Sequence, residues 1–330
     1  MNRRERVIAT LSFKLPDDRL PVLEWAGWWI ETVNKWRTEG LQTEPWELYS
    51  FFGLDEMRLL HIPVNSGGLP APEHHGAAII QDEAGYNDIR HLLFTDECVE
   101  QCKKSALAWK DMHERGEFSV RMWLDGFFWF PRTLLGITGH FNAFYENPEL
   151  IRRMNGDLAD HLLRVMEEVF PILKPDLAGF AEDMSYNNGP MISYDMFREF
   201  QLPYYKKLVP YIKSHGVKVL VDSDGKVDML IPWLLEAGVE GVYPLERQSG
   251  VDVAALRKQY PDLLLMGGYD KMAMPKGEAS MRAEFERLLP VMRSGGYIPS
   301  VDHQTPPGVS LENYKIYVKL LVEYCTRAVV

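Results

Sequence analysis

The segment "KVLVDSDGKV", Lys218 to Val227, runs from aliphatic residues straight into Asp222, Ser223, Asp224 and Gly225. Two carboxylates one residue apart at the end of a buried strand are costly to desolvate unless something neutralises or uses them. The pattern recurs along the chain. Glu24, Trp25 and Trp28 follow "LPVL", Asp125 follows "RMWL", and Glu182 and Asp183 follow "LAGFA". Glu246 follows "VYPL", Tyr269 and Asp270 follow "LLMGG", and Asp302 and His303 follow "IPSV". One such aspartate is ordinarily the N-cap of the next helix. Their repetition, with a single histidine among them, predicts a shared acidic site.

Carboxylates gathered in a dry pocket require raised pKa values or nearby cations. Arg132, Lys226, Arg247 and Lys271 are internal candidates for the cations. Alternatively, Glu182, Asp222, Asp224 and His303 offer oxygens and one imidazole to a zinc or other divalent ion. Without an ion, Asp222 or Asp224 with His303 has the groups needed for acid–base catalysis. No HExxH, cysteine ladder or Walker motif decides the matter, and no Gly-rich turn calls for a nucleotide cofactor. His303 precedes "QTPPGVS", whose prolines direct the loop. His74 and His75 fall in a loop, whereas His113, His161 and His215 are expected on exposed helical surface.

The elements that would carry these groups alternate. Apolar strands are predicted at 119–124, 176–181, 217–221, 239–245, 263–268 and 297–301. Amphipathic helices are predicted between and after them, at 148–173, 194–214, 227–237, 252–260, 280–294 and 311–327. Short apolar strands without alternation, each followed by a helix, describe a parallel sheet covered on both faces. Residues 1–117 are less regular: "DRLPVLEWAG" gives one strand, and "AIIQDEAGYNDIRHLLF" reads as a hairpin turning near Gly85. The sum is an α/β chain forming a single distorted (β/α)8 TIM barrel over 1–330. It has an N-terminal helical and hairpin elaboration, then regular βα units from 118. In such a barrel the active site lies at the C-terminal strand ends, where the acids are.

Composition narrows the function. The net charge is −11, with no basic stripe, which argues against nucleic acid. No run of 18 apolar residues predicts a membrane span, and "MNRRERVIATLSF" reads as an amphipathic first helix rather than a signal peptide. Cys98, Cys102 and Cys325, an odd and small set, suit a reducing cytoplasm. Nine Trp and 12% aromatic residues suggest a pocket with stacking walls around a small molecule.

Four stretches taken together, "GFAEDMSYNNGPMISYDMFREFQLPYYKKL", "GVKVLVDSDGKVDMLIPWLLEAGVEGVYPLE", "LLLMGGYDK" and "GGYIPSVDHQTPPGVSLENY", resemble the uroporphyrinogen decarboxylase superfamily. The opening "RRERVIATLSFKLPDDRLPV" is similar as well. The resemblance implies a single (β/α)8 barrel with a deep cleft at its C-terminal end, and it is compatible with a homodimer. One branch decarboxylates a tetrapyrrole without a cofactor. The other comprises zinc methyltransferases that serve a corrinoid-binding partner protein. The decarboxylases' "RQAGR" arginines are replaced here by Glu24 and Trp28 of "EWAGW", which favours the second branch. That branch binds zinc through a His-x-Cys pair and a late Cys. The corresponding positions here hold Asp222, Asp224 and His303, with Glu182 as a further ligand. The expectation is therefore a corrinoid-dependent methyltransferase for a small ether, amine or thiol. A decarboxylase or lyase of a small carboxylated substrate, and a binding protein that has lost the reaction, are the alternatives. Trp25, Trp28 and Trp129 would line the substrate pocket, with Glu24, Asp125, Tyr186, Glu246, Tyr269 and Asp270 facing the ligand.

Overall fold

The computed structural model describes residues 1–330. Nine strands are present: β1 Met57–His61, β2 Ser119–Asp125, β3 Leu177–Ala181, β4 Ser185–Tyr186, β5 Gly189–Pro190, β6 Lys218–Asp222, β7 Gly241–Tyr243, β8 Leu264–Tyr269 and β9 Tyr297–Val301. Seven of them form one parallel sheet in the order β1-β2-β3-β6-β7-β8-β9, while β4 and β5 make a small antiparallel ladder. The predicted apolar runs are buried on both faces, as the absence of alternation implied; β3 and β9 are buried at every residue. Helices such as Pro148–Val169 and Leu311–Arg327 cover the sheet. No helix is long and apolar enough to cross a membrane.

The sheet is a curled, TIM-like partial barrel of seven strands, not a closed ring of eight. The expected first strand, residues 20–23, forms no ladder, and the edge strand is instead the unanticipated β1. The reason lies in β9. Asp302 N–H bonds Tyr269 O on the β8 side, whereas Val301 N–H points the other way to Glu24 Oε2. By alternation the amide position of residue 299 also faces the gap, and there Pro299 has no donor. Residues 20–25 therefore bridge the gap through other contacts. Asp55 N–H donates to Val22 O beside β1, and Trp25 Nε1 donates to Val301 O at 2.8 Å.

Other expectations need correction. The hairpin predicted near Gly85 is a helix, Glu83–Ile89, because Asp82 caps it by accepting from Gly85 N–H. The single helix expected over 194–214 breaks at Gln201 into Tyr194–Phe200 and Leu202–Ser214, with Pro203 starting the second. His113 and His161 are buried rather than superficial: His113 Nε2 meets Asp176 Oδ2 at 2.9 Å, and His161 Nε2 donates to Pro63 O at 2.9 Å. His215 is half-buried against Tyr211. All three cysteines are free and buried.

Inside the sheet, Gly179 of β3 leaves the space taken by the Tyr243 ring of β7. A Cβ there would overlap the Tyr243 hydroxyl while lying 3.2 Å from Cζ. Gly179→Ala is expected to destabilise the fold by about 1–3 kcal/mol. Tyr243→Phe in the same chain should recover most of that loss, measured by urea unfolding; equal losses in the single and double variants would rule out this clash.

Candidate active site

The parallel register sets the strand ends level. Asp125 pairs with Ala181, Ala181 with Asp222, and Asp222 with Tyr243. Above this row the Asp-Ser-Asp-Gly turn is held by its second and fourth residues. Ser223 is buried; its N–H donates to Tyr243 O and its Oγ accepts from Met184 N–H. Gly225 takes φ 79°, and a Cβ there would collide with the Tyr186 backbone; its N–H donates to Glu246 Oε2 at 2.9 Å. With the backbone so fixed, Asp222 and Asp224 both project into a cavity of about 440 Å³.

Trp25, Tyr49, Trp123 and Trp129 supply its aromatic walls, and Asp183, Asp222, Asp224, His303 and Gln304 its polar groups. Of the sequence-predicted residues, Trp25, Trp129, Asp222, Asp224 and His303 thus meet in one cavity. Glu246 lies just outside it, where its carboxylate, Asp224 and His303 present donor atoms within 4.8 Å of one another. His303 Nε2 is 3.5 Å from Asp224 Oδ2. That contact raises the His303 pKa against the opposing effect of burial. The His303 ring also stands edge-on to Trp25 and Trp29. Asp183 is held at φ 43° and pairs with Arg132 at 3.1 Å. Burial pushes the Asp222 carboxyl up to about 8, Arg121 opposing and Asp224 and Asp183 adding to the rise.

The remaining predicted residues do not line the cavity. Glu182 is buried below it, accepting from Phe127 N–H at 2.9 Å, Phe128 N–H at 2.7 Å and the Tyr205 hydroxyl. It therefore ties the end of β3 to the loop after β2 that opens the helix Trp129–Glu146, and it is not among the clustered metal-capable groups, nor is Asp222. Glu24 accepts from Ser300 Oγ at 2.6 Å and Tyr314 Oη at 3.0 Å, inside the protein. Trp28 packs with Trp36, Tyr49 and Phe52. Tyr269 is enclosed by Phe285 and Tyr317. Asp270 caps Met272 N–H, and Tyr186 is 65% exposed outside the cavity. Asp125, at the β2 end of the row, is buried, its carboxyl pushed up to about 6 by that burial. Of the proposed internal cations, Lys271 pairs with Asp302 and Arg247 with Asp252.

One residue of the cavity was not anticipated. Arg121, in the middle of β2, reaches the pocket from below. The signal was a guanidinium inside an apolar strand run, since arginine is almost never buried without a partner.

A partial barrel of parallel strands with a polar pocket at their C-terminal ends defines a (β/α)-type architecture with its site where such folds place theirs. The chain belongs to the uroporphyrinogen decarboxylase (URO-D) family, whose model matches residues 134–324, more than half of its length. No curated protein matches the chain.

Burial raises the Glu24 carboxyl to about 7, although Ser300, Tyr314 and Val301 pull it down. A carboxyl raised in the folded state stabilises fully below its unfolded value of about 4.3 and loses that contribution as pH rises to the folded value. The wild-type stability minus that of Glu24→Gln should therefore fall between pH 4.5 and 7 and stay level above, by on the order of 3 kcal/mol. Urea unfolding across this range checks it; a pH-independent difference would contradict the raised carboxyl.

Proposed function

We propose that the chain is a URO-D-family methyltransferase that moves a methyl group between a small methylated ether, amine or thiol and a corrinoid carried by a partner protein. The observation that supports this reading is the trio Asp224, Glu246 and His303, whose donor atoms lie within 4.8 Å. Two carboxylates and an imidazole form a donor set that zinc or a harder divalent ion accepts. The chemistry a bound ion supplies there is Lewis-acid polarisation of the substrate's leaving-group atom. The protein's own part is positional. Gly225 N–H holds the Glu246 carboxylate, Asp224 orients His303, and Trp25 closes one side of the cavity. The aromatic walls exclude water from the reacting end and stack on a flat substrate. Asp183 and Asp224 repel the many carboxylates of a tetrapyrrole octa-acid, so uroporphyrinogen itself is not the substrate of this reading.

Calorimetric titration with zinc should give one site per chain. Asp224→Ala and His303→Ala each delete a donor and should weaken binding by more than the roughly 10–100-fold that losing a supporting group costs. A zinc-loaded protein given a reduced cobalamin and a panel of methyl ethers and amines should yield methylcobalamin, read from its absorption spectrum. Wild-type protein that binds no divalent ion would sink this reading.

A second reading has its own support. With its carboxyl raised to about 8, Asp222 carries a proton at neutral pH and is placed to donate it to a carbanion. That is the need of a decarboxylase or lyase acting on a small carboxylated substrate. Under it, carbon dioxide release or elimination survives chelation, and Asp222→Asn lowers kcat by about 10²–10⁴-fold.

A further inference from the structure

We propose that Arg121 is an anion-binding floor of the pocket, holding the carboxylate of a small organic acid with a flat apolar body. The inference rests on the reading above in one respect, that the reacting end of the substrate lies at the Asp224–His303 rim.

Arg121 is 5% exposed, and its Nε and Nη1 are buried with no hydrogen-bond partner. A guanidinium carries five N–H donors and a permanent charge, and leaving it buried and unpaired is strongly unfavourable. Its neighbours do not solve this. The Cζ atom lies 5.1 Å from the Tyr243 ring, 5.6 Å from Trp123 and 5.9 Å from Trp25. Aromatic faces attract the charge but accept little from directed N–H groups. Asp222 interacts with Arg121 electrostatically without pairing directly with it.

Placement explains the isolation. Arg121 is in register with Leu177, and Leu177 with Lys218, whereas Asp222 stands four residues further up β6. The arginine thus enters the cavity from a lower layer of the sheet, near enough to Asp222 to oppose the rise of its pKa but outside hydrogen-bond reach of it. The cavity of about 440 Å³ includes Arg121 in its lining, a size that suits a small ligand. A carboxylate offers the planar, two-oxygen face that a guanidinium fork matches. Asp183 and Asp224 share the cavity and disfavour a second negative charge, so a monoanion is selected over phosphate. Trp25, Trp123 and Trp129 in the same lining offer apolar faces to a flat body.

The test uses benzoate and its neutral analogue benzamide, titrated into full-length, chelator-treated protein and followed by calorimetry and tryptophan fluorescence. Benzoate should bind at least about tenfold more tightly than benzamide, the worth of one charge-assisted hydrogen bond. Arg121→Gln should remove that preference and leave benzamide unchanged, and inorganic phosphate should not displace benzoate. Benzoate that fails to bind or binds no better than benzamide, a preference that survives in Arg121→Gln, or displacement by phosphate overturns the proposal. Should Arg121→Gln unfold, the two ligands compared on the wild type still decide it. Zinc titration of the same preparation reports separately: loss of metal binding in His303→Ala with benzoate affinity intact would separate the fate of the methyltransferase reading from that of the anion site.

Discussion

The Glu24 carboxylate stands between the two ends of the sheet. It takes hydrogen bonds from Ser300 Oγ, the Val301 N–H and Tyr314 Oη, while Asp55 on the far side binds the same segment through Val22. Since Pro299 denies the last strand a donor along this edge, side chains must do what a ladder does elsewhere. The site inherits its geometry from that substitution. One residue after Glu24 comes Trp25, a wall of the cavity; two residues after Val301 comes His303. If the bridge shifts, wall and imidazole shift together, because both are short extensions of the same contacts.

The cavity has an electrical direction. Its lining carries Asp183, Asp222, Asp224 and His303 from the strand ends and loops, and Arg121 from the middle of β2. Low surrounding polarity strengthens both poles. A ligand with one anionic end and one end able to meet a cation or a proton would be oriented by the field before any close contact formed. The three tryptophans of the lining add area without adding charge.

How much of this was legible in the sequence depends on what each residue was answering to. The strands β2, β3, β6, β7, β8 and β9 were readable because burial on both faces leaves continuous apolar runs. β1 was not, because "MRLLH" is half exposed and carries two basic residues, so its pattern is mixed. Asp224 and His303 were readable as strand-end groups, and the structure brings them together. Glu24 and Glu182 followed the same rule yet turn inward, to satisfy backbone and tyrosine donors. Sequence position indicates which end of the strand a carboxylate occupies, but its direction is set by unsatisfied donors contributed from distant segments. Arg121 escaped notice because strand patterns are read by what is apolar, and a single charge within one passes as noise.

The Asp-Ser-Asp-Gly turn separates two duties along four consecutive residues. Ser223 and Gly225 hold the chain path, the first by burial and hydrogen bonds and the second by a backbone angle and close approach that other residues cannot share. Asp222 and Asp224 take no part in that path through their side chains, and both open into the cavity. Such interleaving makes the turn a socket. Ligand atoms of a different kind, softer or harder, neutral or charged, can be installed at its first and third positions while the scaffold stays still. Single substitutions at those two positions change what the cavity offers a ligand without touching the contacts that hold the turn.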